Sequence, residues 1–262
     1  MKSPGTSRPM QIFAHRGASG YAPENTRAAF SKALDLGARA VELDVQQTAD
    51  GSLVVIHDAD LKRVAGVRHY VADMAFEDLK RLDVGGWFDP QFRGETVPSL
   101  EDVLDLLEAR RPGQVGLNVE IKDGKNPYLG IERRLLDALA TRPAWRGRVL
   151  ISSFNHAALR TVRRLDSRAR LGYLAGLSRK TNALREAKEL ACESIHLSVR
   201  QVDGDWVSRA RAQGQHVLVY TVNEPDQLRA MRDFGVDGVF SDFPDAIARA
   251  GKTMTEHSTG NG

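Results

Sequence analysis

Within VELDVQQTADGSLVVIHD, residues 41–58, two carboxylates stand one residue apart, Glu42 and Asp44, and His57 follows after a turn. A third acid, Glu120, lies two residues before Lys122 in VGLNVEIK, and His15 and Arg16 precede Gly17 in QIFAHRG. Strand side chains alternate with period two, so Glu42 and Asp44 project to one face, and so do Glu120 and Lys122. Three buried carboxylates brought together repel one another, and they either take up protons or meet a cation. Oxygen donors favour a hard divalent ion over zinc: Mg2+ or Ca2+, with Mn2+ as a further candidate. A salt bridge to a neighbouring Arg or Lys explains one isolated acid. It explains a pair on one strand face, with a third acid beside a lysine, much less well.

The cationic side chains extend the same chemistry. Arg16 offers a planar fork suited to phosphate oxygens, Lys122 adds a point charge, and Gly17 permits close backbone approach at a strand end. Two histidines beside such a receptacle exchange protons near neutral pH. The combination points to phosphodiester cleavage. His15 and His57 are its candidate proton-transferring pair, one base and one acid in an order the residues do not set, Glu42, Asp44 and Glu120 its metal ligands, and Arg16 and Lys122 its phosphate-binding residues.

Positioning these residues requires a repeated scaffold. Eight short apolar runs, QIFAHRG, AVELDVQQ, VGLNVEIK, RVLISSF, RLGYLA, SIHLSV, HVLVYTV and GVFSDF, alternate with longer amphipathic stretches. Strands alternating with helices predict a parallel sheet, and eight such units predict an α/β fold closed as a (β/α)8 TIM barrel, with its active site at the carboxyl ends of the strands. In NTRAAFSKALDLG, Asn25 or Thr26 can cap the helix start and Gly37 its end; Ser99 caps SLEDVLDLLEARRPG. A ninth run, LVVIHD, follows AVELDVQQ too closely for a parallel crossover, so it must return antiparallel. With Asp50-Gly51 as a two-residue turn, Ala49 pairs with Ser52 and Asp44 faces His57. LVVIHD is then a return arm that brings His57 beside Asp44.

Residues 59–98 are too long for an ordinary loop and carry Trp87, Phe88 and Phe92, so they are expected to pack as an insertion over the barrel mouth. The predicted organisation is an N-terminal extension over 1–10, the barrel domain over 11–251 with its insertion, and a disordered polar tail over 252–262. His257 in that tail carries no functional weight, and His69 and His196 are read as exposed or structural.

Bulk composition excludes some classes. The chain has 262 residues, 42% hydrophobic and 27% charged, as an ordinary globular protein has. Its pI near 9.1 is basic, yet the net charge is only +3, with no basic stripe interleaved with aromatics, so nucleic acid is not an expected partner. No run approaches 18 apolar residues, so no stable membrane insertion is expected, and MKSPGTSRPM lacks the apolar core of a secretory signal. Cys192 is the single cysteine and suits a reducing compartment. The cytoplasm is the expected location; oligomeric state is not legible.

From AHRG through PENT, ELDV, HD, EIK, SSFN and YTVN to DGVFSDFP, over roughly residues 11–250, the chain closely resembles the glycerophosphodiester phosphodiesterases of the bacterial, cytoplasmic type. The resemblance implies a barrel with a small insertion after the return arm, and one Mg2+ or Ca2+ held by Glu42, Asp44 and Glu120. It implies His15 and His57 as the proton-transferring pair, with phosphate on Arg16 and Lys122. The implied reaction is hydrolysis of a glycerophosphodiester, such as glycerophosphocholine or glycerophosphoethanolamine, to sn-glycerol 3-phosphate and an alcohol. In it the substrate's own glycerol hydroxyl attacks phosphorus, and water then opens the cyclic phosphate.

Two places depart from the family pattern. Tyr220 stands where Trp is usual before Thr-Val-Asn, and LKRVAGVRHYVADM lacks the usual threonine-rich turn. Tyr220 and Phe154 are the expected pocket walls for the alcohol group, and Glu24 and Asn25 support the site. The alternative is lysophospholipase D-type or other phosphodiester cleavage on the same site. A non-catalytic phosphate- or nucleic-acid-binding module is a remote alternative.

Overall fold

In the computed structural model of the protein, the described residues are 10–124, 127–176 and 182–259, with side chains as far as 254. Their strands are β1 (Gln11–Ala14), β2 (Ala40–Gln47), β3 (Leu53–Val55), β4 (Gly116–Ile121), β5 (Val149–Ser153), β6 (Arg170–Leu174), β7 (Ser194–Ser198), β8 (His216–Tyr220) and β9 (Gly238–Ser241). All but β3 pair in parallel, in the order β1-β9-β8-β7-β6-β5-β4-β2, and a β1–β2 pairing closes the ring. The eight predicted barrel strands are these eight, with helices between them: a TIM barrel.

Hydrophobic burial decides which face of each strand looks inward. Val41, Leu43 and Val45 of β2 are fully buried in the layer between strands and helices, where each contributes ~1.5–3 kcal/mol. Turning the strand over would lose all three, so the alternate residues Ala40, Glu42, Asp44 and Gln46 are committed to the interior. That interior is graded. Phe13, Ala40, Leu150, Leu218 and Phe240 form an apolar floor, with Phe13 and Phe240 stacked at 4.8 Å. Above them Asn118 donates to the Ser152 hydroxyl at 3.0 Å, and His196 meets the Ser194 hydroxyl at 2.9 Å. His196 is thus a structural residue, its imidazole pushed down to about 3 by burial.

The helix signals were legible at their ends. Helix α1 (Arg27–Asp35) starts at Thr26, whose hydroxyl accepts from the Ala29 amide, and is followed by Gly37 in the left-handed region. The insertion holds two short α-helices, α2 (Lys62–Ala65) and α3 (Phe76–Leu79), and two single 3-10 turns, Val71–Asp73 and Pro90–Phe92. Helix α4 (Leu100–Arg110) after it begins with a reciprocal capping box between Ser99 and Asp102. The insertion carries a small apolar core of its own, which includes Leu61, Val64, Leu79 and Val97 and rests on Val54 and Ile56.

Two expectations are corrected. The return arm pairs Val45 with Val55, Gln46 with Val54 and Gln47 with Leu53, so Asp44 lies opposite Ile56 and not His57. The turn has three residues, Ala49-Asp50-Gly51, because the Thr48 amide donates to the Ser52 carbonyl and Gly51 takes φ 84°. The Thr48 hydroxyl favours this loop by bonding Asp50 Oδ1 and the Ser52 carbonyl. The predicted disordered tail is, through Thr259, the end of a C-terminal helix spanning Pro244–Thr259, with Met254 packed on the main core. Positions 260–262 and the extension before Met10 lie outside the described residues.

Candidate active site

The inward face of β2 delivers Glu42 and Asp44, and the β2–β4 register sets Asp44 level with Glu120. Ligand oxygens of the three acids lie within 4.8 Å of one another. Asp44 is the best compensated. Its Oδ2 accepts from Asn25 Nδ2 at 2.8 Å and lies 3.3 Å from Arg16 Nε, while Lys122 Nζ is 3.6 Å from Oδ1. Burial alone would raise its carboxyl, but Arg16, Lys122 and His57 hold it down to about 2. Glu120 accepts from Lys122 Nζ at 2.8 Å, yet burial and the charge of Asp44 push it up to about 7.

Glu42 is the exception. It accepts the Arg16 backbone amide at 2.8 Å and has no ion pair with a side chain among the described residues. Burial, then Asp44 and Glu120, drive its carboxyl well above the ordinary range. A buried hard-oxygen cluster with one uncompensated member fits a divalent cation better than a set of internal salt bridges.

The loop after β1 is shaped to serve this cluster. Arg16 and Asn25 both hold left-handed backbone, φ 54° and 58°, and the Asn25 amide donates to the Arg16 carbonyl at 2.9 Å. Such non-glycine conformations cost ~1–2 kcal/mol each, so the contacts to Glu42 and Asp44 must offset them. Between them Gly17 is required twice over: its φ is 82°, and a Cβ there would lie 2.6 Å from the backbone of Ala29.

The two histidines flank the acids, each with a carboxylate on Nδ1. His15 Nδ1 is 2.7 Å from Asp242 Oδ1, and Asp242 also accepts from Ser19 Oγ at 2.9 Å and Asn223 Nδ2 at 2.7 Å. Although burial opposes it, these partners, His15 first, bring Asp242 down to about 2. His57 Nδ1 is 2.7 Å from Asp58 Oδ1. Burial lowers the His57 imidazole, and the nearby charge of Asp44 partly counteracts this. His57 reaches the site even though the register differs from expectation, because the chain leaves the ladder after Ile56, whose amide still donates to the Asp44 carbonyl at 3.0 Å. Gln46 Nε2 donates to the carbonyls of Ile56, His57 and Asp58, at 3.1, 3.0 and 2.7 Å.

The wall residues also meet. Phe154 and Tyr220 pack edge to face with centroids 6.2 Å apart, and Phe154 is 42% exposed. Burial and the charge of Glu120 push the Tyr220 phenol up to about 12, so this wall borders the acid cluster. Every sequence-predicted site residue therefore lies at the carboxyl end of the barrel. Sequence reasoning missed Gln46, Asp242 and Arg63. Gln46 was readable as the next position on the Glu42–Asp44 face; the other two come from a strand end and an insertion whose distance from the site no local pattern sets.

The Glycerophosphoryl diester phosphodiesterase family profile matches residues 15–246. A glycerophosphodiester phosphodiesterase of Caldanaerobacter subterraneus subsp. tengcongensis is 36% identical over 238 residues, covering 90% of this chain and 95% of that protein. One from Bacillus subtilis is 32% identical over 255 residues, covering 91% and 85%. Among solved structures, an Oleispira antarctica phosphodiesterase in complex with the product sn-glycerol-3-phosphate is 31% identical, with a TM-score of 0.81 over 92% of this chain and 96% of that one.

Proposed function

The chain belongs to the glycerophosphoryl diester phosphodiesterase family and is a phosphoric diester hydrolase, and from that premise we propose that it cleaves water-soluble glycerophosphodiesters, glycerophosphocholine and glycerophosphoethanolamine among them, to sn-glycerol 3-phosphate and an alcohol. The observation that carries this reading is the convergence of Glu42, Asp44 and Glu120 beside Arg16 and Lys122, with His15 and His57 on its flanks. The product recorded with the Oleispira antarctica protein is consistent with it.

Glu42, Asp44 and Glu120 would hold one divalent cation, Mg2+ or Ca2+ with Mn2+ as an alternative; when bound, it supplies charge stabilisation for the developing phosphorane. Arg16 and Lys122 orient the phosphate and share its charge. His15, held through Nδ1 by Asp242, takes the proton from the substrate's glycerol hydroxyl as that oxygen attacks phosphorus. His57 protonates the leaving alcohol oxygen as the ester bond breaks. Its burial-lowered imidazole makes it a more willing donor once charged. The two exchange roles when water opens the cyclic phosphate.

Phe154 and Tyr220 form the wall for the alcohol group. An acyl chain needs a continuous apolar groove. The exposed large apolar residues of the insertion are Tyr70 and Trp87, and Trp87 already lies under Arg63, with 5.4 Å from guanidinium to ring. That supports soluble diesters over lysophospholipids. Among the described residues no helix is long and apolar enough to cross a membrane.

The test is release of glycerol 3-phosphate from glycerophosphocholine, read by a coupled dehydrogenase with Mg2+ or Ca2+ and again after EDTA. Turnover that EDTA abolishes is expected; no product with any metal refutes the proposal. Faster turnover of lysophosphatidylcholine would favour the alternative.

A further inference from the structure

Arg63 stands on α2, in the insertion, and in the mechanism above it does nothing. Its contacts give it a task. Arg63 Nε donates to Asp58 Oδ2 at 2.6 Å, while its two terminal nitrogens grip Glu24 Oε2 and Oε1 at 2.9 and 2.7 Å. The other oxygen of Asp58 takes His57 Nδ1, and Glu24 Oε1 also accepts from Arg16. The guanidinium lies over the Trp87 ring. One side chain of the insertion thus joins the carboxylate behind a proton-transferring histidine to the carboxylate behind a phosphate-binding arginine.

We propose that Arg63 is a positioning residue for His57: by fixing Asp58 it keeps Nδ1–H turned to that carboxylate, so that Nε2 faces the substrate. Nε2 then gives its proton to the leaving oxygen when the ring is charged and, in the neutral Nδ1–H tautomer, takes one when water opens the cyclic phosphate. This rests on the functional reading above and deepens it. Asp58 neighbours His57 in the chain, so without a second anchor its carboxylate is free to rotate away. Asp242, behind His15, has Asn223 and Ser19 to prevent that. Asp58 has Arg63. Only a planar fork can hold one carboxylate through Nε and a second through both terminal nitrogens; an ammonium cannot. Gluing the insertion in place is a weaker account, because that subdomain has its own apolar core and partly exposed ion pairs contribute little to folding.

The discriminating measurement is the tautomer of His57. Proton–nitrogen correlation spectra of the ring, recorded on metal-free protein at pH 8, would be compared for the wild type, Arg63→Lys and Arg63→Ala. The His57 signals are assigned by their loss in His57→Gln. The wild type should show the Nδ1–H form, and both variants a mixture shifted toward the Nε2–H form of free imidazole. In parallel, kcat on glycerophosphocholine should fall about 10- to 100-fold with KM little changed, and added guanidinium should restore part of the Arg63→Ala rate. Arg81→Ala, at an exposed pair with Asp78, should match the wild type.

An unaltered His57 tautomer in a folded Arg63→Lys variant overturns the proposal. So does a rate loss that follows only the unfolded fraction and is not rescued. A wild type without turnover would refute the functional reading alone, because the ring spectra still decide the role of Arg63.

Discussion

His15 and His57 carry the same local chemistry by different constructions. Each ring has a carboxylate 2.7 Å from Nδ1. Asp242 is 227 residues from His15 and arrives because β1 pairs with β9 when the barrel closes; it is then tied to Asn223, whose Oδ1 also accepts the Asp242 amide at 2.9 Å. Asp58 is the next residue after His57, and its geometry depends on Gln46 beneath and Arg63 beside it. The first dyad is a product of the fold. The second is local and must be stiffened from outside, by the insertion. The Asp58 dyad thus hangs on the insertion, whereas the Asp242 dyad sits on the β1–β9 pairing of the barrel itself.

Removing the rings themselves should erase the difference. His15→Ala and His57→Ala are each expected to lower kcat by ~10²–10⁴, read as initial rates of glycerol 3-phosphate release, and the double variant should lose much less than the product of the two. A variant of normal rate would remove that histidine from the mechanism.

Removing the carboxylates should expose it. Asp242 lies near 2 when folded, below its ordinary value. It therefore contributes stability that is fully present above that ordinary value and is lost as pH falls through about 2. From the size of the displacement, Asp242→Asn should cost about 2 kcal/mol at pH 7, and the gap from wild type should close between about pH 4 and pH 2 in denaturant titrations. Asp58→Asn should cost less stability but still lower kcat, because its partners are more exposed. Equal stability losses would contradict the contrast.

A smaller effect is expected at Gln46. Gln46→Ala leaves three carbonyls without their shared donor and should cost about 1–2 kcal/mol, with faster amide exchange confined to Ile56–Asp58 and no change at Asp242.

The smallest effect concerns the acids between the two dyads. In the metal-free protein Glu120 lies near 7, above its ordinary value, and Glu42 is raised as well, so the folded state holds protons that the unfolded chain releases. That contribution is complete below the ordinary carboxylate range and is lost as pH rises through about 7. The gain in Tm on adding Mg2+ or Ca2+ should accordingly be a few degrees larger at pH 8 than at pH 5.5.

What was legible in the sequence follows period two. Alternation on β2 and β4 is enough to bring Glu42, Asp44, Glu120 and Lys122 together, because burying Val41, Leu43 and Val45 leaves the strand no other orientation. TADGS was ambiguous: Asp50-Gly51 suits a two-residue turn, but Gly51 also suits the last place of a three-residue loop, and the Thr48 hydroxyl tips the balance toward the latter. The resulting shift of one residue would have turned His57 away had the ladder continued. Gln46 ends it by capturing three successive carbonyls. Arg63 and Asp242 were not readable, since nothing local in KRVAG or FSDFP fixes their distance from His57 or His15.

The central claim is that Glu42, Asp44 and Glu120 hold one divalent cation between the two histidines. Anomalous diffraction from crystals soaked in Mn2+ measures this directly. A single peak within coordination distance of all three carboxylates is predicted, and it should vanish in Glu42→Gln; no peak there, or a peak that the substitution leaves untouched, would contradict the account.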